Sequence, residues 1–239
     1  MYLLRLAFFL AWLGPSCRSV PEVEVDRLRV QSVDREAVVV AAAARGLVPV
    51  ETYDRGIAVS LAYGRPDNVF GRVLYPPGFP ALAHDETARK LAAANTGLAA
   101  DGLRLVVLDA YRPPEVQWTI YELVRSDRYV SDPRRRWSRH TYGRAVDVTL
   151  LNRSGCPVRM PSAFDDFSER ASARYRGSDP EVRAHLTRLQ LAMTEAGFSL
   201  YEAEWWHFND LGDPVLHDRP PVFGRELGLP VGESGADVP

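Results

Sequence analysis

A chain of 239 residues, 46% hydrophobic and 10% aromatic, has a globular composition and the length for one sizeable core. The formal net charge of -2 and the lack of any long Lys/Arg block exclude a phosphate-tracking surface, so no nucleic-acid partner is expected. All but one of the 29 basic residues are arginine, Lys90 being the exception, a bias that carries no message about chemistry.

The N-terminus reads as an address. Arg5 precedes an apolar run over residues 6–13, too short to span a bilayer and suited to a secretory signal, followed by Gly14, Pro15, Ser16 and Cys17. Residues 1–17 are therefore expected to be a signal peptide or lipoprotein signal, and the protein to be exported to the periplasm or cell envelope. A lipidated Cys17 would attach it to a membrane, although Gly-Pro-Ser is a poor lipobox. The other cysteine, Cys156, is expected to be buried or free, not part of a disulfide framework.

Residues 18–46 form an extension, a spacer or a packed-on segment, whose alanine-rich helical run ends at Gly46. A strand-like stretch follows at 57–63, then a turn-rich GRPDNVFG. Residues 85–97 read as a helix with Ala88, Leu91 and Ala92 near helical spacing and glycine at the stop, and 103–111 as a buried strand. Pro113 and Pro114 open a helix carrying Val116, Ile120 and Leu123, since proline is tolerated in a first turn. Another helix begins at Asp179-Pro180, shows Val182, Leu186, Leu189 and Met193 on one face, and stops at Gly197. This irregular alternation predicts an α+β fold, one domain with a mostly antiparallel sheet flanked by helices. From about Asp213 the periodicity is lost and an extended tail is expected, disordered over 226–239.

The chemistry concentrates in two short runs, SRHTYGRAVDVTL (138–150) and EAEWWHF (202–208). Strand alternation puts Ala145, Asp147 and Thr149 on one face and Val146, Val148 and Leu150 on the other, so Asp147 points away from the apolar side. The Tyr142-Gly143 turn lets His140 fold back towards it. A catalytic zinc takes three nitrogen or oxygen ligands and leaves one position open; His140, Asp147 and His207 supply such a set. Glu204, three residues before His207, is placed to take a proton from an activated water. Arg112, after the buried strand, could stabilise a developing oxyanion. Asp109 could instead be only a helix N-cap. His84, His185 and His217 are expected to be packed core histidines, and Trp205 and Trp206 core aromatics or pocket walls.

The pattern Ser138-x-His140-x-x-Gly143-x-Ala145-x-Asp147, with Glu204-Trp-Trp-His207, resembles the D-alanyl-D-alanine dipeptidases, zinc D,D-peptidases of the vancomycin-resistance type. Tyr63-x-x-x-Asp67-Asn68, Asp109-x-Tyr111-Arg112-Pro113 and Met160-x-Ser162-x-Phe164-Asp165 match further blocks in order, so the resemblance runs from Leu47 to Phe223 within a catalytic domain over 47–225. It implies a zinc D,D-peptidase-like fold and one Zn2+ held by His140, Asp147 and His207, with Glu204 as base and Arg112 on the transition state. It also implies Asp165 on the ammonium of a small dipeptide substrate, with Ser138, Asp109 and Tyr63 lining the pocket. Two positions depart from the family pattern: Val69 lies between Asn68 and Phe70, and Pro161 stands where glycine is usual. Hydrolysis of D-alanyl-D-alanine or a similar D,D-dipeptide in cell-wall turnover is the implied activity. A D,D-carboxypeptidase or endolysin-like peptidase would keep the zinc site without a closed ammonium pocket, and a zinc-stabilised binding module would not need Glu204.

Overall fold

The computed structural model describes residues 31–230, so the expected signal, Cys17 and most of the C-terminal tail lie outside the described residues. Four helices, α1 (Arg35–Ala43), α2 (Asp85–Ala99), α3 (Pro114–Val124) and α4 (Pro180–Glu195), pack with two sheets in an α+β arrangement. The smaller sheet pairs β1 (Leu47–Pro49) with β3 (Leu82–His84). The larger is built from β2 (Ala58–Val59), β4 (Arg104–Asp109), β5 (Ala145–Leu151), β6 (Phe198–Tyr201) and β7 (Glu204–Asp210), in the spatial order β2-β4-β5-β7-β6. Among the described residues only the β2–β4 pair is parallel.

Local chemistry explains the elements. Asp179 caps α4 by accepting from the backbone N–H groups of Glu181 and Val182, Pro180 occupies the first turn, and Gly197 at φ 89° follows the last. His84 caps α2 through Nδ1. Helices α2 and α4 pack together, and Leu91 and Leu98 of the first share one core with Leu189 and Met193 of the second, together with Leu105, Leu150 and Phe208. Strands β4 and β5 are covered on both faces, which is why β4 reads as a continuous apolar run and not as an alternation.

Several details differ from the sequence reading. The strand-like 57–63 segment yields only the short edge strand β2, because Tyr63 turns inward on a 3-10 turn (Ala62–Gly64) to pack against Tyr75 and Phe164. The chain after Asp213 is not simply extended: 3-10 turns at Leu216–Asp218 and Gly224–Leu227 bury Leu216, Leu227 and Leu229, isolated anchors that leave no helical period. Helix α1 buries Val38 and Ala42 in the common core and packs against the Gly224–Leu227 turn, where Arg45 pairs with Glu226. His84, His185 and His217 are only half-buried, not core residues. Cys156 is half-buried and in no disulfide among the described residues.

Candidate metal centre and active site

Sheet register assembles the site. Asp109 on β4 stands opposite Asp147 on β5, and Asp147 stands opposite His207 on β7, so three polar groups form one row across the middle of the sheet. His140 reaches that row from a 3-10 turn (Arg139–Tyr142) capped by Ser138, whose Oγ accepts from the His140 N–H. Gly143 ends the turn at φ 66°, and a Cβ there would lie 2.7 Å from both the His84 backbone nitrogen and Leu47 Cδ2. The turn that returns the chain into β5 therefore requires glycine.

His140 Nε2, Asp147 Oδ1 and His207 Nδ1 form a triangle with edges of 3.4, 3.2 and 3.0 Å. Ligands about 2.0–2.1 Å from a tetrahedral ion stand roughly 3.3 Å apart, so the donor set fits a zinc-sized cation. The far nitrogen of each ring is engaged as well. His140 Nδ1 lies 2.7 Å from the Ala110 carbonyl and His207 Nε2 lies 3.2 Å from Asn209 Oδ1; donating to these acceptors leaves each inward nitrogen with its lone pair free for a metal. Burial alone would raise the Asp147 carboxyl, but the two imidazoles reverse the sign and hold it well below the ordinary carboxylate range.

Glu204 begins β7 with Oε2 3.8 Å from His207 Nδ1. Residues three apart on a regular strand face opposite ways, yet these two converge. The reason is a break in register: Leu200 pairs with Phe208 but Tyr201 with Glu204, so 205–207 bulge away from β6. Burial, with the Asp147 and Asp165 carboxylates nearby, pushes Glu204 well above its ordinary pKa, and Arg112 opposes the shift. Arg112 is itself immobilised: Nε donates to Asp109 Oδ2 at 2.8 Å, Nη1 to Gln117 Oε1 at 2.8 Å, and Nη2 lies 3.6 Å from Asp147 Oδ2.

Asp165 sits in the left-handed region at φ 56° and is 6% exposed. Its Oδ1 accepts a long 3.4 Å bond from the Tyr63 hydroxyl, while the buried Oδ2 has no partner. Burial, then the Asp147 charge, pushes this carboxyl up to about 8. A carboxylate in such a position is short of a cation.

One cavity of about 300 Å³ is lined by Tyr63, Arg112, Ser138, His140, Asp147, Asp165, Glu204 and His207, but not by Asp109. The expectation that Asp109 lines the substrate pocket is thus corrected. It is wholly buried, accepting from the Tyr75 hydroxyl at 2.5 Å and from Arg112, and it stands behind the arginine. Nor does it cap α3, whose N-cap position is Pro113 with no side-chain bond. Trp206 lines the cavity, whereas Trp205 is buried and donates to Ser162 Oγ. The sequence reading did not single out Asn209, Gln117 or Tyr75. Asn209 carried a usable signal, lying two residues beyond His207 and hence on the same strand face.

The chain matches the family described as D-Ala-D-Ala dipeptidase over residues 43–224. It is 32% identical over 170 residues to the D-alanyl-D-alanine dipeptidase of Escherichia coli (strain K12), covering 70% of this chain and 87% of that one. It is 30% identical over 153 residues to the D-alanyl-D-alanine dipeptidase of Enterococcus faecium, covering 56% and 73%. A third D-alanyl-D-alanine dipeptidase, from Synechocystis, is 29% identical over 131 residues, or 49% of this chain and 51% of the relative. With more than half its length inside the family match and its His-Asp-His triangle at the centre of a small cavity, the chain belongs to the D-Ala-D-Ala dipeptidase family of metallopeptidases.

Proposed function

We propose that the protein hydrolyses D-alanyl-D-alanine or a similarly small D,D-dipeptide, using one zinc ion held by His140, Asp147 and His207. The observation that carries the dipeptidase reading is Asp165, a buried carboxylate with one unpartnered oxygen in the same cavity as the donor triangle. A free ammonium on the substrate pairs with its carboxylate; an acylated amine brings no cation, so the group must stay protonated or bear an unpaired buried charge, and that substrate binds less well.

Zinc, when bound, would supply Lewis acidity at the scissile carbonyl and make a neighbouring water acidic near neutral pH. Glu204, whose buried surroundings raise its pKa and so strengthen it as a base, takes in its carboxylate form the proton released by the attacking water and passes it to the departing amine as the C–N bond breaks. Arg112, fixed by Asp109 and Gln117, presents its positive charge where the carbonyl oxygen becomes negative. Asp165 orients the substrate by its amino end.

The N-terminal signal pattern supports an exported enzyme acting on dipeptides released in cell-wall turnover, with Cys17 as a lipid attachment point; no described helix is long and apolar enough to cross a membrane. The test is hydrolysis of D-Ala-D-Ala beside N-acetyl-D-Ala-D-Ala, with and without chelator and zinc restoration. Cleavage of the free dipeptide alone, abolished by chelator and restored by zinc, is expected. Equal cleavage of both substrates would leave a metallopeptidase but remove the dipeptidase assignment.

A further inference from the structure

The cavity has a second charged wall that none of these roles uses. Arg136, Arg139 and His217 line it together with Ser138. Arg139 is half-buried, and its one side-chain bond goes to a neutral acceptor, the Asp210 carbonyl, at 3.0 Å. Arg136 is exposed and, among the described residues, has no carboxylate within ion-pair distance. Arg112 and Arg144, by contrast, are each matched by buried aspartates, Asp109 and Asp210. His217 stands edge-on to Tyr142, and its buried Nδ1 has no partner. Burial, with Arg136 and Arg139 next in strength, disfavours the charged form of that ring. The wall therefore presents two guanidinium groups that make no ion pair with a carboxylate among the described residues, beside an unpartnered imidazole nitrogen, whereas Asp165 and Glu204 on the same cavity are carboxylates short of a cation.

We infer that Arg139, flanked by Arg136 and His217, is the subsite for the substrate's C-terminal carboxylate, so that the cavity reads both ends of a zwitterion. The inference rests on the dipeptidase reading and deepens it. Two extended residues span only about 7 Å, and a cavity of about 300 Å³ stands at the small end for ligand sites, so only a short chain places both termini inside. Arg139 can meet a carboxylate through its second guanidinium edge while keeping its bond to the Asp210 carbonyl. The chemistry selected is an α-carboxylate; an amide at that end would leave the guanidinium without its counter-charge.

The test uses the full-length, zinc-loaded protein with D-Ala-D-Ala and D-Ala-D-alaninamide, in the wild type, Arg139→Gln and Arg136→Gln. In parallel, calorimetry follows the binding of D-alanine and D-alaninamide, which need no turnover. The wild type should prefer the free acid by about 100-fold or more in kcat/KM. Arg139→Gln should lower kcat/KM for the acid by about 10- to 100-fold, mainly through KM, while the amide rate and the zinc content stay as they were. Arg136→Gln, which removes an exposed and unpaired side chain, should move the ratio in the same direction by less, and it carries the comparison should Arg139→Gln fail to fold. Equal cleavage of acid and amide by the wild type, or an equal loss on both in Arg139→Gln, overturns the subsite and leaves the dipeptidase reading standing. If no dipeptide is cleaved, that reading fails on its own and calorimetry decides the subsite: D-alanine binding that weakens in Arg139→Gln upholds it, and no preference for D-alanine over D-alaninamide rejects it.

Discussion

Asp109 and Asp147 lie directly opposite each other on neighbouring strands, and the Arg112 guanidinium is held by both, with Nη2 2.7 Å from Asp109 and 3.6 Å from Asp147. Two carboxylates in register would repel; the arginine converts the clash into a fixed positive charge at the edge of the donor triangle. Burial works against that charge, but Asp109 together with the neighbouring tyrosines and Asp147 keeps Arg112 firmly protonated.

The Tyr75 hydroxyl completes this arrangement from behind by donating to Asp109. Tyr75→Phe should cost about 1.5–3 kcal/mol of stability, as expected for a lost bond to a charged group, and lower kcat with metal content unchanged. Denaturant unfolding and steady-state kinetics on the same preparation would check this. Full activity in a destabilised Tyr75→Phe protein would show that Arg112 does not depend on the tyrosine for its position.

Glu204→Gln keeps size and shape but cannot accept a proton. Turnover should fall by about 10²- to 10⁴-fold with zinc retained. Metal analysis beside single-turnover rates separates this from a damaged metal site, and undiminished turnover would assign the base to another group.

Asn209 accepts at His207 Nε2 and so holds the ring's lone pair towards the metal position. Asn209→Ala should weaken zinc binding by about 10- to 100-fold without unfolding the protein, the usual effect of losing a partner behind a metal-bound histidine. Competition with a zinc chelator of known affinity gives the number. Unchanged affinity would mean that the packing of Tyr201 and His140 against the ring orients His207 without Asn209.

Asp165 makes a prediction in pH. In chelator-treated, substrate-free protein its carboxyl is pushed up to about 8, against an ordinary value of 3.8. Between those values the folded state keeps a proton that the unfolded chain releases, so this group's contribution to stability is lost as pH rises from about 4 to about 8. Asp165→Asn should therefore gain in Tm relative to wild type across that window while losing discrimination against N-acetylated substrate. A Tm difference that does not vary with pH would place the Asp165 carboxyl in water.

How much of this was legible beforehand depended on how local each piece was. His140, Asp147, Glu204 and His207 fall within two short runs whose residue types already suggest a metal and a base, and the capped helices α2 and α4 announce themselves by period and stop signals. Asp109 was misplaced in the pocket because its role depends on which strand lies beside it and at what register, and on Tyr75, which comes from a distant loop. Glu204 and His207 violate strand alternation, and only the bulge at 205–207 reconciles them. The 57–63 segment lost most of its strand because the inward turn of Tyr63 into an aromatic cluster outweighed local β propensity. The segment beyond Asp213 hides its anchors among prolines, one leucine at a time.

The row Asp109–Asp147–His207 also bears on how the chain proofreads its own folding. A slip of one residue between β4 and β5, or between β5 and β7, would turn one of the three side chains to the opposite face and break up the row. Assembly of the three donors around one point is thus conditional on correct strand alignment. Molecules with a misaligned sheet would remain without metal and so without activity, and a zinc-affinity step would sort them from the correctly folded ones.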